Sequence, residues 1–349
     1  MPNDFEPNPG QQGTLLSTFT FNEIYDSVQK KFIEMLPKYP IDAKPLFIYE
    51  AVPQQSGNSR QYDESDFSSF ARNKPEGVPS AKGTFGIGYH KVMSMKRVAL
   101  EFDLTYEART QNQWYKVTEI TQALIQTVPY RLNLDMTHRV TFANAASYVD
   151  MDGFTVDTTT GDGLSLANAA HTLAFSATTY TNIVAGAPQF SKSALQSAET
   201  VAKNNIYDNF GVPHVMSWTH IFCANTPVVI ESIKQFLHSI SDNTQANPNV
   251  MNTYKNRYEI LVLTQLDTDA NGFRDTAKSN WWGIAALGGS IRGDRFQAIH
   301  GEWEAAHMKP TVEGGNADDF SKDIWKFGVR GGYGLVTVSP KGFIISLVP

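Results

Sequence analysis

The stretch VALEFDLTYEARTQNQWYKVTEITQALIQTVPYRLNLDMTHRVTFANAASY, residues 98–148, changes its apolar period part-way along. Val98, Leu100, Phe102, Leu104 and Tyr106 alternate with Ala99, Glu101, Asp103, Thr105 and Glu107, the period of two expected of a strand with one buried face. From Trp114 the apolar positions are Val117, Ile120, Leu124, Val128, Leu132, Met136, Val140 and Ala143, nearly all three or four apart. That spacing predicts a long helix reaching Tyr148, kinked or divided at Pro129, whose ring removes a backbone donor. A strand feeding a long helix is the frame on which the rest hangs.

Upstream, residues 50–90 are polar, with QQSGNSRQYDESD followed by KPEGVPSAKGTFGIG. A structureless loop of that length is uncommon inside a compact domain unless it does something, so it is read as an extended, interacting loop. Gly83, Gly86 and Gly88 within it are read as backbone freedom. Phe21, Ile24, Tyr25, Val28, Phe32, Met35 and Leu36 fit a short amphipathic helix ending before Pro37, and residues 1–20 are too poor in apolar surface to order alone.

Downstream, helices are expected at Ser191–Tyr207 and Pro227–Ile240, the second with Thr226 as N-cap and an apolar face of Val229, Ile230, Ile233, Phe236, Leu237 and Ile240. Strands are expected at Ser217–Cys223, Tyr258–Leu266, Asn280–Ala286, Arg295–His307, Ile324–Arg330 and Tyr333–Val338. Helices and strands mix without regular βαβ alternation, which indicates an α+β fold.

Composition narrows the function. The chain has 349 residues, 41% hydrophobic, 18% charged and a formal net charge of −6. It lacks the basic excess that drives binding to nucleic-acid phosphates, so any nucleic acid it meets is enclosed rather than gripped. Cys223 is the single cysteine and cannot form an intrachain disulfide, which fits a reducing cytoplasm or an origin where disulfides are not the stabilising device. No secretory pattern opens the sequence, and no apolar run nears the roughly 18 residues of a membrane helix, so neither export nor membrane insertion is expected.

Each chemical motif fails at a named position. Gly163, Ser165 and Ala167, near Asp162 and His171, approach a nucleophile elbow, but TVDTTTGD precedes them where a buried strand is needed. Asp267, Asp269, Asn271 and Gly272 open like a calcium loop, but its closing carboxylate is replaced by Lys278. His300, Glu302, Glu304 and His307 cluster with zinc-ligating chemistry but not with the spacing of a zinc protease, and alternation places the first three on one strand face. The glycines of GTFGIG do not match a nucleotide fingerprint. The expectation is no catalytic residue, no cofactor and no metal.

Three stretches carry a family likeness: DGLSLANAAHTL (Asp162–Leu173), PVVIESIKQFL (Pro227–Leu237) with the asparagine-rich stretch and apolar strand after it, and KFGVRGGYGLVTVSPKGFI (Lys326–Ile344). Together with the order of arm, loop, strand and long helix, the chain resembles tailed-bacteriophage major capsid proteins of the Hong Kong 97 fold. The resemblance implies an N-terminal arm at 1–45, an E-loop region at 46–110, a spine helix and peripheral domain at 111–150, a mainly axial domain at 151–290 and return strands at 291–349. It implies self-assembly into hexamers and pentamers forming an icosahedral shell around double-stranded DNA, in the virion and, during assembly, the host cytoplasm. Separate scaffolding, portal and decoration proteins are the implied partners. Arg97, Leu100, Glu101, Phe102, Asp103 and Leu104 are candidate intersubunit contacts. Lys82, Lys91 and Lys96 are present, but nothing identifies one as a cross-linking lysine. An encapsulin-type nanocompartment shell shares the fold, and a soluble hydrolase using Ser165 and His171, or a metal enzyme using the His300–His307 cluster, is the rival of another class.

Overall fold

The computed structural model describes residues 29–54, 57–67, 70–105, 114–241, 251–287, 297–309 and 324–349. The arm at 1–20 and the first part of the helix expected from Phe21 lie outside the described residues. Elements follow in the order α1 (29–35), β1 (Phe47–Ala51), β2 (Ser59–Phe67), β3 (Phe85–Thr105), α2 (Trp114–Thr141), β4 (Ser147–Val149), β5 (Thr155–Asp157), β6 (His171–Thr172) and β7 (Thr179–Tyr180). Then come α3 (Lys192–Asn204), β8 (His220–Ala224), α4 (Pro227–His238), β9 (Glu259–Leu263), β10 (Trp282–Ala285), β11 (Gln297–Met308), β12 (Ile324–Ser339) and β13 (Phe343–Ser346). The mixture is α+β. Two units divide it: residues 1–41, 96–132 and 302–333 form one, and residues 42–95, 133–301 and 334–349 the other.

The first unit packs the early part of α2 against strand segments, with β12 between β11 and β3. Leu124, Ile125 and Val128 enter a core with Phe32, Met308, Phe327 and Val329, and Val98 and Phe102 of β3 lie against it. Phe102 stacks on Phe327 with ring centres 5.2 Å apart. This explains why α2 is not divided at Pro129, where a kink or a division was expected. A proline inside a helix costs about 3 kcal/mol, whereas burying each of three neighbouring aliphatic side chains returns about 1.5–3 kcal/mol. The helix does end earlier than expected, at Thr141, because Tyr148 belongs to β4 and stacks on Phe142 at 4.2 Å.

The two strands expected around Arg330 are one, β12. Gly331 and Gly332 do not break it; they let it lie close to its neighbours. A Cβ on Gly331 would sit 3.0 Å from Val128, and one on Gly332 would sit 3.1 Å from Glu304 and Trp303 side chains.

In the second unit, β8, α4 and β9 form a parallel crossover, His220 facing Glu259 across the pair, and β10 and β13 extend the sheet antiparallel in the order β13-β10-β8-β9. Phe222 stacks on Phe343 at 4.9 Å. Gly283 lies beneath this pair, where a Cβ would come 2.2 Å from the Ile344 carbonyl and 2.3 Å from the Phe222 ring. Helix α4 buries Val229, Ile233 and Leu237, but Ile240 lies beyond its end and is exposed. Thr226 occupies the N-cap position with extended backbone, yet its hydroxyl donates to the Ser279 carbonyl at 2.6 Å instead of capping the helix. A separate core of Val52, Met93, Val336 and Val338 joins the strand segments that this unit contributes from β3 and β12.

The stretch read as an extended, interacting loop contains two antiparallel arms, Ser59 facing Ser94 and Phe67 facing Phe85, with an irregularity between Asp63 and Ser65. Only the connection, 70–84 among the described residues, lacks strand character, and it is exposed along its length.

Candidate assembly surfaces

Strand β3 carries all six candidate contact residues, and the first unit already engages several. The Arg97 guanidinium is 3.2 Å from the Glu304 carboxylate and lies over the Trp303 ring at 4.5 Å. Buried Glu304 also accepts from Arg330 Nε at 2.8 Å and has His307 Nε2 at 3.4 Å. Glu101 pairs with Lys309, an exposed pair of little energetic weight. Phe102 is committed to its own core. Leu100 and Asp103 face out, and the side chain of Leu104 lies outside the described residues.

The second unit shows a surface that the sequence reading did not isolate. Strand β3 begins as Phe85-Gly86-Ile87-Gly88-Tyr89, a period of two in which glycine occupies one face. Gly86 and Gly88 are therefore strand residues rather than loop hinges. A Cβ on Gly86 would come 2.4 Å from the Phe175 ring, and one on Gly88 3.2 Å from Ala174 and Asn209. The glycine face lets the hairpin lie flat on the body of the unit, where Phe175 stacks on Phe210. Polar contacts hold it there: Lys91 to Asp157 at 2.6 Å, Tyr89 to Thr172 at 2.8 Å, the Asn209 N–H to Asp66 at 2.9 Å, and Lys341 to Glu64 at 2.9 Å. Burial tends to raise the Asp157 carboxyl, but hydrogen bonds from Lys91 and Thr159 prevail and hold it below the usual range. On the opposite face Phe85 and Ile87 are 63% and 62% exposed, with Phe70 and Val92 also open. Neighbouring large apolar side chains on an outward face mark an interaction surface more often than chance exposure does.

The motifs with chemical potential are all engaged structurally. His171 is fully buried, its Nδ1 2.7 Å from Asp162 and its Nε2 3.2 Å from the Leu166 carbonyl. Ser165 donates instead to the Ala167 carbonyl at 3.0 Å, so no Ser–His relay forms. Burial raises the Asp162 carboxyl, but hydrogen bonds from His171 and Thr160 outweigh it and the net shift is downward. Asp269 folds its carboxylate back onto the N–H groups of Asn271 and Phe273 at 2.9 and 2.8 Å. Asp267 pairs with Arg274, and Lys278 with Asp275 at 3.1 Å. Those ligands do not converge on an ion. Glu304 is occupied by guanidinium groups, and among the described residues no group of three or more metal-ligating side chains comes together. Burial pushes the Cys223 thiol up to about 12, which removes it as a thiolate nucleophile. Among the described residues no helix is long and apolar enough to cross a membrane.

No family model matches the sequence, and no curated protein matches it. Solved structures do resemble it. They include the capsid structure of cyanophage P-SCSP1u, at 14% identity over 86% of this chain and 85% of that chain with a TM-score of 0.46. The asymmetric unit of the bacteriophage PhiM1 mature capsid follows at 11%, over 88% and 86%, with a TM-score of 0.47. The procapsid of bacteriophage JBD30 matches at 10%, over 97% and 76%, with a TM-score of 0.44. All three are phage capsids or procapsids.

Proposed function

We propose that the chain is a major capsid protein of the Hong Kong 97 type, whose copies close into hexamers and pentamers and tile an icosahedral shell around phage DNA. The observation that carries this reading is the docked β2–β3 hairpin. It is anchored by polar contacts on one face and presents Phe85 and Ile87, both exposed, on the other. The Asp162–His171 pair supports it: the family-like segment Asp162–Leu173 folds as a closed internal staple, with Leu166, His171 and Leu173 buried, and not as a site open to substrate.

In this reading the hairpin is the E-loop, α2 the spine, and the exposed positions Leu100 and Asp103 join Phe85 and Ile87 in meeting a second copy. Head-to-tail contacts that close give rings, and many modest contacts per subunit make the shell cooperative. The net charge of −6 suits a wall that encloses DNA without gripping it. Scaffolding, portal and decoration proteins would be separate chains, and the shell would form in the host cytoplasm before residing in the virion.

Sedimentation of the expressed chain tests the proposal. Rapidly sedimenting closed assemblies support it, and a monomer or dimer at every concentration and ionic strength refutes it. The contents of shells from infected cells separate DNA packaging from enclosure of cargo enzymes, which would make the shell an encapsulin-type compartment.

A further inference from the structure

Two turns of the second unit are built alike although they stand far apart in the chain. Asp150-Met151-Asp152-Gly153-Phe154 joins β4 to β5, and Asp269-Ala270-Asn271-Gly272-Phe273 follows β9. In the first, Asp150 Oδ1 accepts from the N–H groups of Asp152 and Phe154 at 3.1 and 2.9 Å. In the second, Asp269 Oδ1 accepts from those of Asn271 and Phe273 at 2.9 and 2.8 Å. Each aspartate N–H also donates to the carbonyl of its phenylalanine, at 2.9 and 2.7 Å, and each glycine sits at φ 82°. The turns adjoin: a Cβ on Gly272 would meet Leu134 at 3.4 Å and Met151 Cε at 3.9 Å.

What each turn holds is a phenylalanine facing outward. Phe154 and Phe273 are 70% and 72% exposed, and Val149 and Met151 are open as well. A single surface phenylalanine needs no explanation, but two on adjoining, identically braced turns form a patch of the kind that marks an interaction. Bracing the backbone in advance lowers the ordering cost when the patch is covered. The patch is also acidic. Its turns carry Asp150, Asp152 and Asp269 and no lysine or arginine, while nearby Arg274 is paired with Asp267 and Lys278 with Asp275.

The chain carries a surface of the opposite sign. The connection at the end of the β2–β3 hairpin, 70–84, is exposed along its length and sets Arg72, Lys74 and Lys82 against Glu76, with Phe70 and Val78 open among them. Within one copy neither surface covers the other, since both stay exposed. We propose that the adjoining turns receive the hairpin connection of a second copy, Phe154 and Phe273 meeting its apolar side chains and the carboxylates its cations. This docking rests on the shell-forming reading and supplies the receiving side of the hairpin's contact. Two different surfaces of one chain make a heterologous contact, which repeats from copy to copy and closes into a ring. Opposite charge selects the partner surface and speeds encounter, and apolar burial supplies affinity.

Sedimentation and cross-linking of the full chain test the docking. Phe154→Ser with Phe273→Ser is expected to leave folding intact by circular dichroism and to raise the concentration needed for assembly by about tenfold or more. Asp152→Lys is expected to weaken assembly, and Lys74→Glu with Lys82→Glu in the same chain to restore part of it. In assemblies mixed from Val78→Cys and Asn271→Cys chains, a short bis-maleimide is expected to join the two new cysteines, the native Cys223 being buried. That cross-link needs neither serine substitution to be tolerated. Shells that form from the double serine chain at the wild-type concentration, or that give no cross-link between these positions, overturn the docking and leave the shell-forming reading standing. A wild-type chain that never assembles overturns both.

Discussion

At the scale of single residues, buried carboxylates do the organising. Asp162 has its carboxyl held below the ordinary range by His171 and Thr160 despite its burial. A depressed folded-state value means that the unfolded chain takes up the proton first. The stabilisation is therefore complete above the unfolded value, about 3.9, and is lost as pH falls through the lower folded value. Asp162→Asn is expected to cost about 1.5–3 kcal/mol near neutral pH, the range for hydrogen bonds to charged groups, and to flatten the acid limb of the stability curve. Denaturant titrations from pH 7 down to below pH 3 check both effects; an unchanged acid limb would remove Asp162 from the account. Glu304 gathers Arg97, Arg330 and His307. Because both guanidinium groups are substantially exposed, Glu304→Ala is expected to cost about 1–3 kcal/mol, less than a fully buried pair, measurable by the same titration. The sequence showed the His300–His307 cluster but not its purpose, since the cations that claim Glu304 come from β3 and β12, far off in the chain.

At the scale of elements, close approach decides what is allowed. Gly283→Ala would drive a Cβ into the Ile344 carbonyl and the Phe222 ring. Overpacking of a core typically costs about 1–3 kcal/mol, and here the nearer obstacle is backbone, so the loss is expected at the upper end, read as a lowered unfolding midpoint. The β2–β3 hairpin works by the opposite device, one face stripped to glycine for docking and the other left apolar. Phe85→Ser with Ile87→Ser is expected to leave the melting curve of the unassembled chain within about 0.5 kcal/mol of wild type. The same pair should raise the concentration needed for assembly at least tenfold, because a covered aromatic or aliphatic side chain contributes about 1.5–3 kcal/mol. Unaltered assembly in a sedimentation series would show that this face is not an interface.

Legibility in sequence followed periodicity. The alternation at Val98–Phe102 and the three-four spacing along α2 each located an element, as did Val229, Ile233 and Leu237 of α4, because one buried face repeats along a single element. Where the buried partner is a distant strand or where glycine replaces the apolar residue, that signal vanishes. Gly86 and Gly88 thus read as loop, and Gly331 and Gly332 as a break. The period of two in Phe85-Gly86-Ile87-Gly88-Tyr89 was the available sign of the hairpin. At Pro129 a division was open as well as a kink, because local cost was visible and the core that keeps the helix continuous was not.

At the scale of the whole molecule, the chain is two units built from interleaved segments, with its chemically capable side chains locked into staples, turns and ion pairs, and with apolar surface turned outward on a long hairpin. The function proposed for such a chain is association. Negative-stain electron microscopy of the purified protein, alone and again with a co-expressed candidate scaffold, tests that claim most directly. The account expects closed polyhedral shells, or tubes where curvature is unregulated. Fields of separate small particles in both preparations, from protein that is folded by circular dichroism, would contradict it.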